Sequence, residues 1–589
     1  MNQPIDFYKS QIQNYTAQLK QLRRKSIWIS ASRLLSFLLI AILIYFFYKE
    51  SKVLILIVLA GIPLFLFLVS KSENIKQLIH IAKEYILINE NELKVLQGDY
   101  TFLDSGSEFI NPEHHFSYDI DLFGKASFFQ YINRSIKQSA KVFLSNLLIS
   151  NDVNDIEERQ DAIKELSEKS HWRQKFMITS RLDSSKYHPD QIVNWVQYYQ
   201  SFTKKFMYHL VWAFSILSII VILVYYFKFV NAYVLLFWAL LGLGIVGKYA
   251  KKTQKLFAEI EQIKPSLAAY KSLIDLIENE KFTTGLLQKK QQELVDSQTH
   301  ISQNISAFLS ISKRIEFTNN LIIKFIGDAF FLYDLLMAYQ MERWIAKHKD
   351  EMNSWYAITD FFESYSNLGN FAFNHPSYIF PKINDQNDII KSSGLGHPLL
   401  DSNKRIDNDF DIKKHSFFII TGANMAGKST FLRTVSLNIV MANSGLPVCA
   451  QNFDYHPIKL ITSMRTSDSL SKDESYFFAE LKRLKFMVDQ MNKDEYFIVL
   501  DEILKGTNSI DKAMGSQKFV EKLVHSKSTG IIATHDLSLC KLEDDFKQIK
   551  NYFFDAAIID DELFFDYKLK TGICQNMNAS FLLKKMNII

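Results

Sequence analysis

The sequence predicts an α/β domain at the C-terminal end of a mostly α-helical chain that also carries four transmembrane helices in two hairpins. Three observations lead there. A short apolar run, Phe417-Phe-Ile-Ile-Thr421, feeds a Gly-x-x-x-x-Gly-Lys-Ser loop and then a segment with helical spacing. Two further apolar runs end in Asp501-Glu502 and in Thr534-His535, the pattern of buried strands closing on polar groups. Four long apolar runs occur as two tight pairs, each run about the length needed to cross the hydrocarbon core of a bilayer.

The loop comes first because its context gives it meaning. An apolar strand, a glycine loop and a helix in that order make a phosphate site, whereas the loop pattern alone is also met in a plain glycine turn with an exposed lysine. Gly422 and Gly427 let the backbone wrap close to an anion, so that successive N–H groups point at phosphates. The helix N-terminus behind adds its partial positive charge. The nucleotide-binding set is therefore Gly422, Ala423, Asn424, Met425, Ala426, Gly427, Lys428, Ser429 and Thr430. Lys428 is expected to reach the β- and γ-phosphates of ATP, and Ser429 to ligate Mg²⁺.

Tyr496-Phe-Ile-Val-Leu500-Asp501-Glu502 places Asp501 at the carboxyl edge of a sheet, where it can hold Mg²⁺. Glu502 then faces the attacking water as general base or orienting group. An apolar strand ending in Asp-Glu is weak alone and strong when it follows a phosphate loop. Gly530-Ile-Ile-Ala-Thr534-His535 is a third strand aimed at the same crevice. A lone strand-end histidine is usually structural; in this company His535 reads as a γ-phosphate sensor.

The apolar pairs are 27–48 with 53–69, and 206–227 with 229–247. Lys20, Arg23, Arg24 and Lys25 precede the first pair and Lys71 and Lys76 follow it. Lys204 and Lys205 precede the second, and Lys248, Lys251 and Lys252 follow it. Positive charge at both ends of each hairpin puts those ends, both termini and the α/β domain in the cytoplasm, with only small turns outside. Net charge is +5, from 68 basic against 63 acidic residues, which is too slight for a nucleic-acid footprint. Cys449, Cys540 and Cys574 lack metal-ligand spacing and read as buried thiols in a reducing compartment.

Taken in order, residues 1–26 are a polar helical lead-in, 74–96 an amphipathic helix, and 98–118 a loop whose His114 and His115 read as surface residues. Helical patterning resumes over 120–171. From 251 to about 350 the chain is mostly long helix with charge on one face, and Pro265 is a kink or break. Residues 352–373 are helical again, and Pro376 and Pro381 mark a boundary.

These residues resemble the MutS family, which shares its ATPase architecture with the ABC ATPases. The loop Thr421–Arg433 is similar to the family's Thr-Gly-Pro-Asn-Met-Gly-Gly-Lys-Ser-Thr, with Ala423 and Ala426 as departures. Asp501-Glu-Ile-Leu-Lys-Gly506-Thr507 is similar to Asp-Glu-Ile-Gly-Arg-Gly-Thr, and Ala533-Thr-His535 to Ala-Thr-His. The segment Ser467-Asp468…Ser475…Phe477…Glu480 also matches, except that Asp473 stands where the family has glycine. The resemblance implies that Ser475 reaches the γ-phosphate of a partner subunit, that Ile406 lies beside the adenine, and that His397-Pro398 and Asn408 open the domain. It is dense from about residue 394, thinner over 120–171 and returns at 361–373. No counterpart of the family's mismatch-reading domain with its Phe-x-Glu wedge is present, the room between Phe282 and Trp355 is short for a DNA clamp, and the family's helix-turn-helix extension does not follow.

The expected division is thus 1–26 cytosolic lead-in, 27–69 first transmembrane hairpin, 70–205 first part of a MutS-like helical core, 206–247 second hairpin, 248–375 core and lever region, and 376–589 ATPase domain of the ABC/MutS type. The leading expectation is a membrane-anchored ATPase that forms a homodimer through its nucleotide domains and is kin to mismatched-DNA-binding proteins, with any DNA binding weak or non-specific. The alternative is a membrane-tethered regulatory ATPase acting on protein partners without DNA. A transporter is the third class; four spans in two hairpins offer little substrate path, and no Leu-Ser-Gly-Gly-Gln run is present.

Overall fold

A computed structural model describes residues 2–182, 189–295, 300–384, 387–423, 425–465, 476–504, 509–559 and 562–575. The chain forms two compact units, one of Met1–Arg134, Ser145–Gln174 and Asn367–Ile589, the other of Ser135–Leu144 and Lys175–Ser366.

The first unit begins with two long helices, Asn2–Phe47 and Ser51–Leu96, folded back on each other. The sequence suggests separate polar and apolar helices here, but each helix runs unbroken through both parts, with Pro63 inside the second. Their 46 residues each give about 70 Å of rod, more than twice the hydrocarbon thickness of a bilayer. No glycine or proline separates the apolar runs from the charged ones that flank them, so nothing ends the helix at the charge boundary. Along the apolar runs large side chains such as Leu35, Phe46, Leu59 and Phe67 are exposed.

At the far end of these rods the contacts become specific. Tyr15 stacks on Tyr85 with ring centroids 4.0 Å apart. Arg134 Nε donates to Glu92 Oε1 at 2.5 Å, Asn374 Nδ2 donates to Glu92 Oε2 at 2.9 Å, and the Tyr8 hydroxyl donates to Asn374 Oδ1 at 2.7 Å. Burial by itself raises the Glu92 carboxyl, but the Arg134 guanidinium and these hydrogen bonds outweigh it and hold it below the usual carboxylate range.

Two main sheets follow. The strands are β1 (Lys382–Ile383), β2 (Asp388–Leu395), β3 (Asn408–Lys413), β4 (Phe417–Gly422), β5 (Asn452–Tyr455), β6 (Lys459–Ser463), β7 (Tyr496–Asp501), β8 (Thr529–Ala533), β9 (Ile549–Phe554), β10 (Ala557–Ile559), β11 (Glu562–Phe564) and β12 (Leu569–Thr571). A four-stranded sheet has the order β1-β5-β2-β3, and β10 and β11 pair as a small hairpin. The larger sheet has the order β12-β9-β4-β8-β7-β6, parallel from β9 to β6 with β12 antiparallel at its edge. All six residues of β4 are buried, as a strand covered on both faces requires. Helices Tyr476–Met491 and Ser509–Val524 pack on the sheet through Leu484, Met487, Val520 and Leu523, while helix Lys428–Asn443 is buried along almost its whole length. Cys449, Cys540 and Cys574 are all buried free thiols.

Within the second unit, helices Lys205–Tyr226 and Ala232–Gly247 form the other apolar pair. Among the described residues three helices are long and apolar enough to cross a membrane: Gln3–Phe47, Ser51–Leu96 and Lys205–Tyr226. Ala232–Gly247 is shorter, at 16 residues, and meets Ala250–Glu278 at a 63° bend; the count reaches four only if this bent pair is one span. Pro265 does not break its helix, which continues from Ala250 to Glu278. The expected long helix up to 350 is instead a series, with Gly285–Gln292, Ile301–Glu316, Leu321–Phe331 and Tyr333–His348 separated by turns.

Candidate functional site

Register brings three strand ends together. Ile420 of β4 pairs with Ala533 of β8, and Ala533 pairs in turn with Asp501 of β7. The segments leaving these positions are the glycine loop, Asp501-Glu502 and Thr534-His535, all at the carboxyl edge of one parallel sheet, where ligands of open α/β sheets sit.

The loop has the backbone that its glycines permit. Gly422 has φ +151° and a Cβ on it would stand 2.6 Å from the Phe554 carbonyl oxygen; Gly427 has φ +104°. Met425 is exposed at φ +67° and Ala426 is buried. Lys428 opens the following helix and is buried, its Nζ donating to the carbonyls of Gly422 at 2.7 Å and Ala423 at 2.9 Å. Burial lowers its affinity for the proton, against the opposing pull of Asp501 and Glu502. Ser429 Oγ donates to Asp501 Oδ2 at 2.6 Å, and Thr430 is exposed beside it. Asn424 and Ser475 lie outside the described residues, as do Gly506 and Thr507.

Glu502 leaves β7 in the left-handed region, at φ +60°, with its N–H donated to the Ala533 carbonyl at 2.9 Å. A non-glycine residue there costs on the order of 1–3 kcal/mol, a strain that turns its carboxylate out of the strand direction. Lys512 Nζ pairs with Glu502 Oε1 at 3.1 Å, and Glu480 Oε1 accepts the Leu504 N–H at 2.6 Å, tying helix Tyr476–Met491 to the turn after the carboxylates. Half-burial, and then the charge of Lys428, lower the His535 pKa, so its ring is neutral near pH 7.

Gly427, Lys428, Ser429, Asp501, Glu502 and His535 line a cavity of about 550 Å³, the size range of small-molecule sites. Ile406 and His397 are on its wall, and so is Tyr567, which no sequence pattern marked. Asn408 fixes Tyr567: its Nδ2 donates to the Tyr567 carbonyl at 3.0 Å and its Oδ1 accepts the Leu569 N–H at 2.8 Å. A Cβ on Gly427 would stand 3.0 Å from the Tyr567 ring, so the glycine is what lets the aromatic face approach the loop.

Residues 418–584 match the family described as MutS domain V. Over this C-terminal domain the chain is similar to the MutS family. Similar curated proteins include the DNA mismatch repair protein MutS of Clostridium botulinum (strain Okra / Type B1), 31% identical over 206 residues, which are 33% of this chain and 22% of that protein. The DNA mismatch repair protein MutS of Clostridium tetani (strain Massachusetts / E88) is 31% identical over 238 residues, 39% of this chain and 27% of that protein. The chain therefore spans about a quarter of the length of the curated relatives it matches.

The MutS domain V match takes in the loop, both carboxylates, His535 and Tyr567, whereas Ile406 precedes it. The segment after helix Ser51–Leu96 also touches this domain. Asp121, at φ +52°, accepts from both terminal nitrogens of Arg465 at 2.5 and 2.8 Å and pairs with Arg433 at 3.1 Å. One carboxylate thus joins the helix behind the loop to the strand exit that leads to residue 475. His114 and His115 are not simple surface residues: both are half-buried, and Arg483 donates to their carbonyls at 2.9 and 2.6 Å. Among the described residues no cluster of three or more His, Cys, Asp or Glu is set to hold a metal.

Proposed function

We propose that the chain is a membrane-anchored, Mg²⁺-dependent ATPase of the MutS type, whose nucleotide cycle drives a conformational change in a dimer. The observation that carries this reading is the convergence of Lys428, the Ser429–Asp501 pair, Glu502 and His535 on one cavity behind a glycine loop. Loop N–H groups and Lys428 take the phosphates, Lys428 exchanging two backbone carbonyls for phosphate oxygens. The Ser429 hydroxyl and the Asp501 carboxylate are hard oxygen donors already in contact, and they fit Mg²⁺. When bound, the ion would neutralise phosphate charge. Glu502 accepts the proton of the attacking water, with Lys512 holding its carboxylate, and the neutral His535 ring hydrogen-bonds the γ-phosphate. Tyr567 and Ile406 face the base, and Ser475 completes the site of a second subunit.

The apolar helices anchor this domain in a membrane with its site on the cytoplasmic side. The curated relatives' names supply a link to DNA mismatch repair. The near balance of charge favours a second reading, a tethered ATPase that acts on protein partners. The test is equilibrium binding of a fluorescent ATP analogue to the full chain in lipid nanodiscs, with and without Mg²⁺. Wild type is expected to bind in both and Lys428→Ala in neither; equal binding by the two would remove the site. Mixing Ser475→Ala chains with Lys428→Ala chains is expected to restore hydrolysis in the mixture, and no recovery would argue against a shared site.

A further inference from the structure

Helix Leu321–Phe331 carries a face that water does not explain. Leu321 is 82% exposed, Ile322 70%, Phe325 56% and Ile326 49%, and together they make one continuous apolar strip. Its two charged residues are engaged: Lys324 Nζ pairs with Asp334 Oδ2 at 2.5 Å, and Asp328 Oδ1 accepts the Asp334 N–H at 2.9 Å. Asn320 caps the N-terminus, its Oδ1 accepting from the N–H groups of Ile322 and Ile323.

The opposite face is built into the second apolar hairpin. A Cβ on Gly242 would stand 2.2 Å from the Ala329 carbonyl oxygen, so two helix backbones meet where glycine leaves room. Ser215 Oγ donates to the Phe331 carbonyl at 3.5 Å. The exposed strip is thus carried by a helix packed on both helices of the hairpin, which has exposed apolar side chains of its own, Phe237 among them at 68%. On its polar side, Lys324 shares a recess with Gln254 and Glu316, beside the helix that leaves the hairpin at the 63° bend. Eleven residues make about 16 Å of helix, half of what is needed to span the hydrocarbon core.

We infer that Leu321–Phe331 is an interfacial membrane helix, lying in the plane of the bilayer at the foot of the second hairpin with its apolar face among the acyl chains. The inference rests on the membrane anchoring proposed above. A helix with an uncharged apolar face, a polar side and too little length to cross has that resting place. It adds a membrane contact from within the helical unit, beyond the hairpins themselves.

Depth-dependent quenching tests it, using the full chain in phosphatidylcholine–phosphatidylglycerol nanodiscs. Cysteine placed at Ile322 or Phe325 carries an environment-sensitive fluorophore, and the three native thiols are buried. Both labels are expected to lose most of their emission to lipids bearing a nitroxide near the headgroup, and little to a nitroxide at the chain end or to aqueous iodide. Quenching by iodide but not by lipid overturns the inference, and so does protection from both, which would mean that protein covers the face. A label at Leu223, exposed on helix Lys205–Tyr226, separates the two readings. If Leu223 is quenched by lipid and Phe325 is not, the interfacial helix alone fails; if neither is, the membrane anchoring fails with it.

Discussion

Ser429 donates its hydroxyl hydrogen to Asp501 at 2.6 Å, across 72 residues of sequence. The contact joins the first turn of the helix behind the glycine loop to the end of β7, with β8 between the two strands. It places a hydroxyl and a carboxylate where one divalent cation can take both oxygens.

Replacing Asp501 with Asn keeps the shape and removes the charge. Affinity for ATP in the presence of Mg²⁺ is expected to fall by roughly tenfold or more, about 1.4 kcal/mol, with little change in its absence. Titration with and without Mg²⁺ reads this directly. An equal loss in both conditions would assign Asp501 to the loop's structure and not to the metal.

The helical unit contains a titration of its own. Burial pushes the Asp360 carboxyl up to about 7, with Glu363 and Asp190 adding to the rise and the Ser139 hydroxyl and Lys137 opposing it. A carboxyl whose folded pKa lies above its unfolded value contributes stability at low pH and loses it as pH rises through the folded value. The fold is therefore expected to be more stable at pH 6 than at pH 8 by about 1 kcal/mol from this group. Asp360→Asn should flatten that dependence in thermal or denaturant unfolding. An unchanged profile in the variant would contradict the assignment.

Topology follows from the lysines around each hairpin. Cysteines at Ser51 and Asn231, at the outer ends of the two hairpins, are expected to react with an impermeant reagent added outside intact cells, and one at Ser402 is not. Labelling of Ser402 from outside would reverse the orientation.

On DNA, the names of the relatives and the charge of this chain point in different directions. Contacts from Lys and Arg to phosphates carry no mismatch information. Binding by the detergent-solubilised chain is expected to be salt-sensitive and nearly equal for matched and mismatched duplexes. A preference for the mismatch of roughly tenfold or more would reveal a reader absent from this account. No binding at low salt would favour the protein-partner reading.

Local patterns exposed much of the site, because the glycine loop and the strand-end carboxylates each announce themselves within a few residues. Tyr567 and Asp121 were hidden for the opposite reason. Tyr567 reaches the cavity only because Asn408, on another strand, fixes its turn, and Asp121 meets Arg433 and Arg465 from more than 300 residues away. The sequence suggests shorter helices in place of the long hairpin rods because composition changes along them while helix-forming geometry does not. In the second hairpin, apolar content suggested a full span, but the bend after Gly247 leaves a shorter helix. Helix Leu321–Phe331 is inconspicuous in the sequence because Lys324 and Asp328 interrupt its apolar run, and only folding turns both toward Asp334.

Glu502 is proposed to activate water beside a nucleotide held by the loop and Mg²⁺. Glu502→Gln in nanodiscs, with bound ATP and its turnover measured on the same sample, separates that role from binding. ATP binding is expected to stay close to wild type, with hydrolysis reduced by roughly a hundredfold or more. Near-normal turnover in that variant, or a wild-type chain that neither binds nor hydrolyses ATP, would contradict that role.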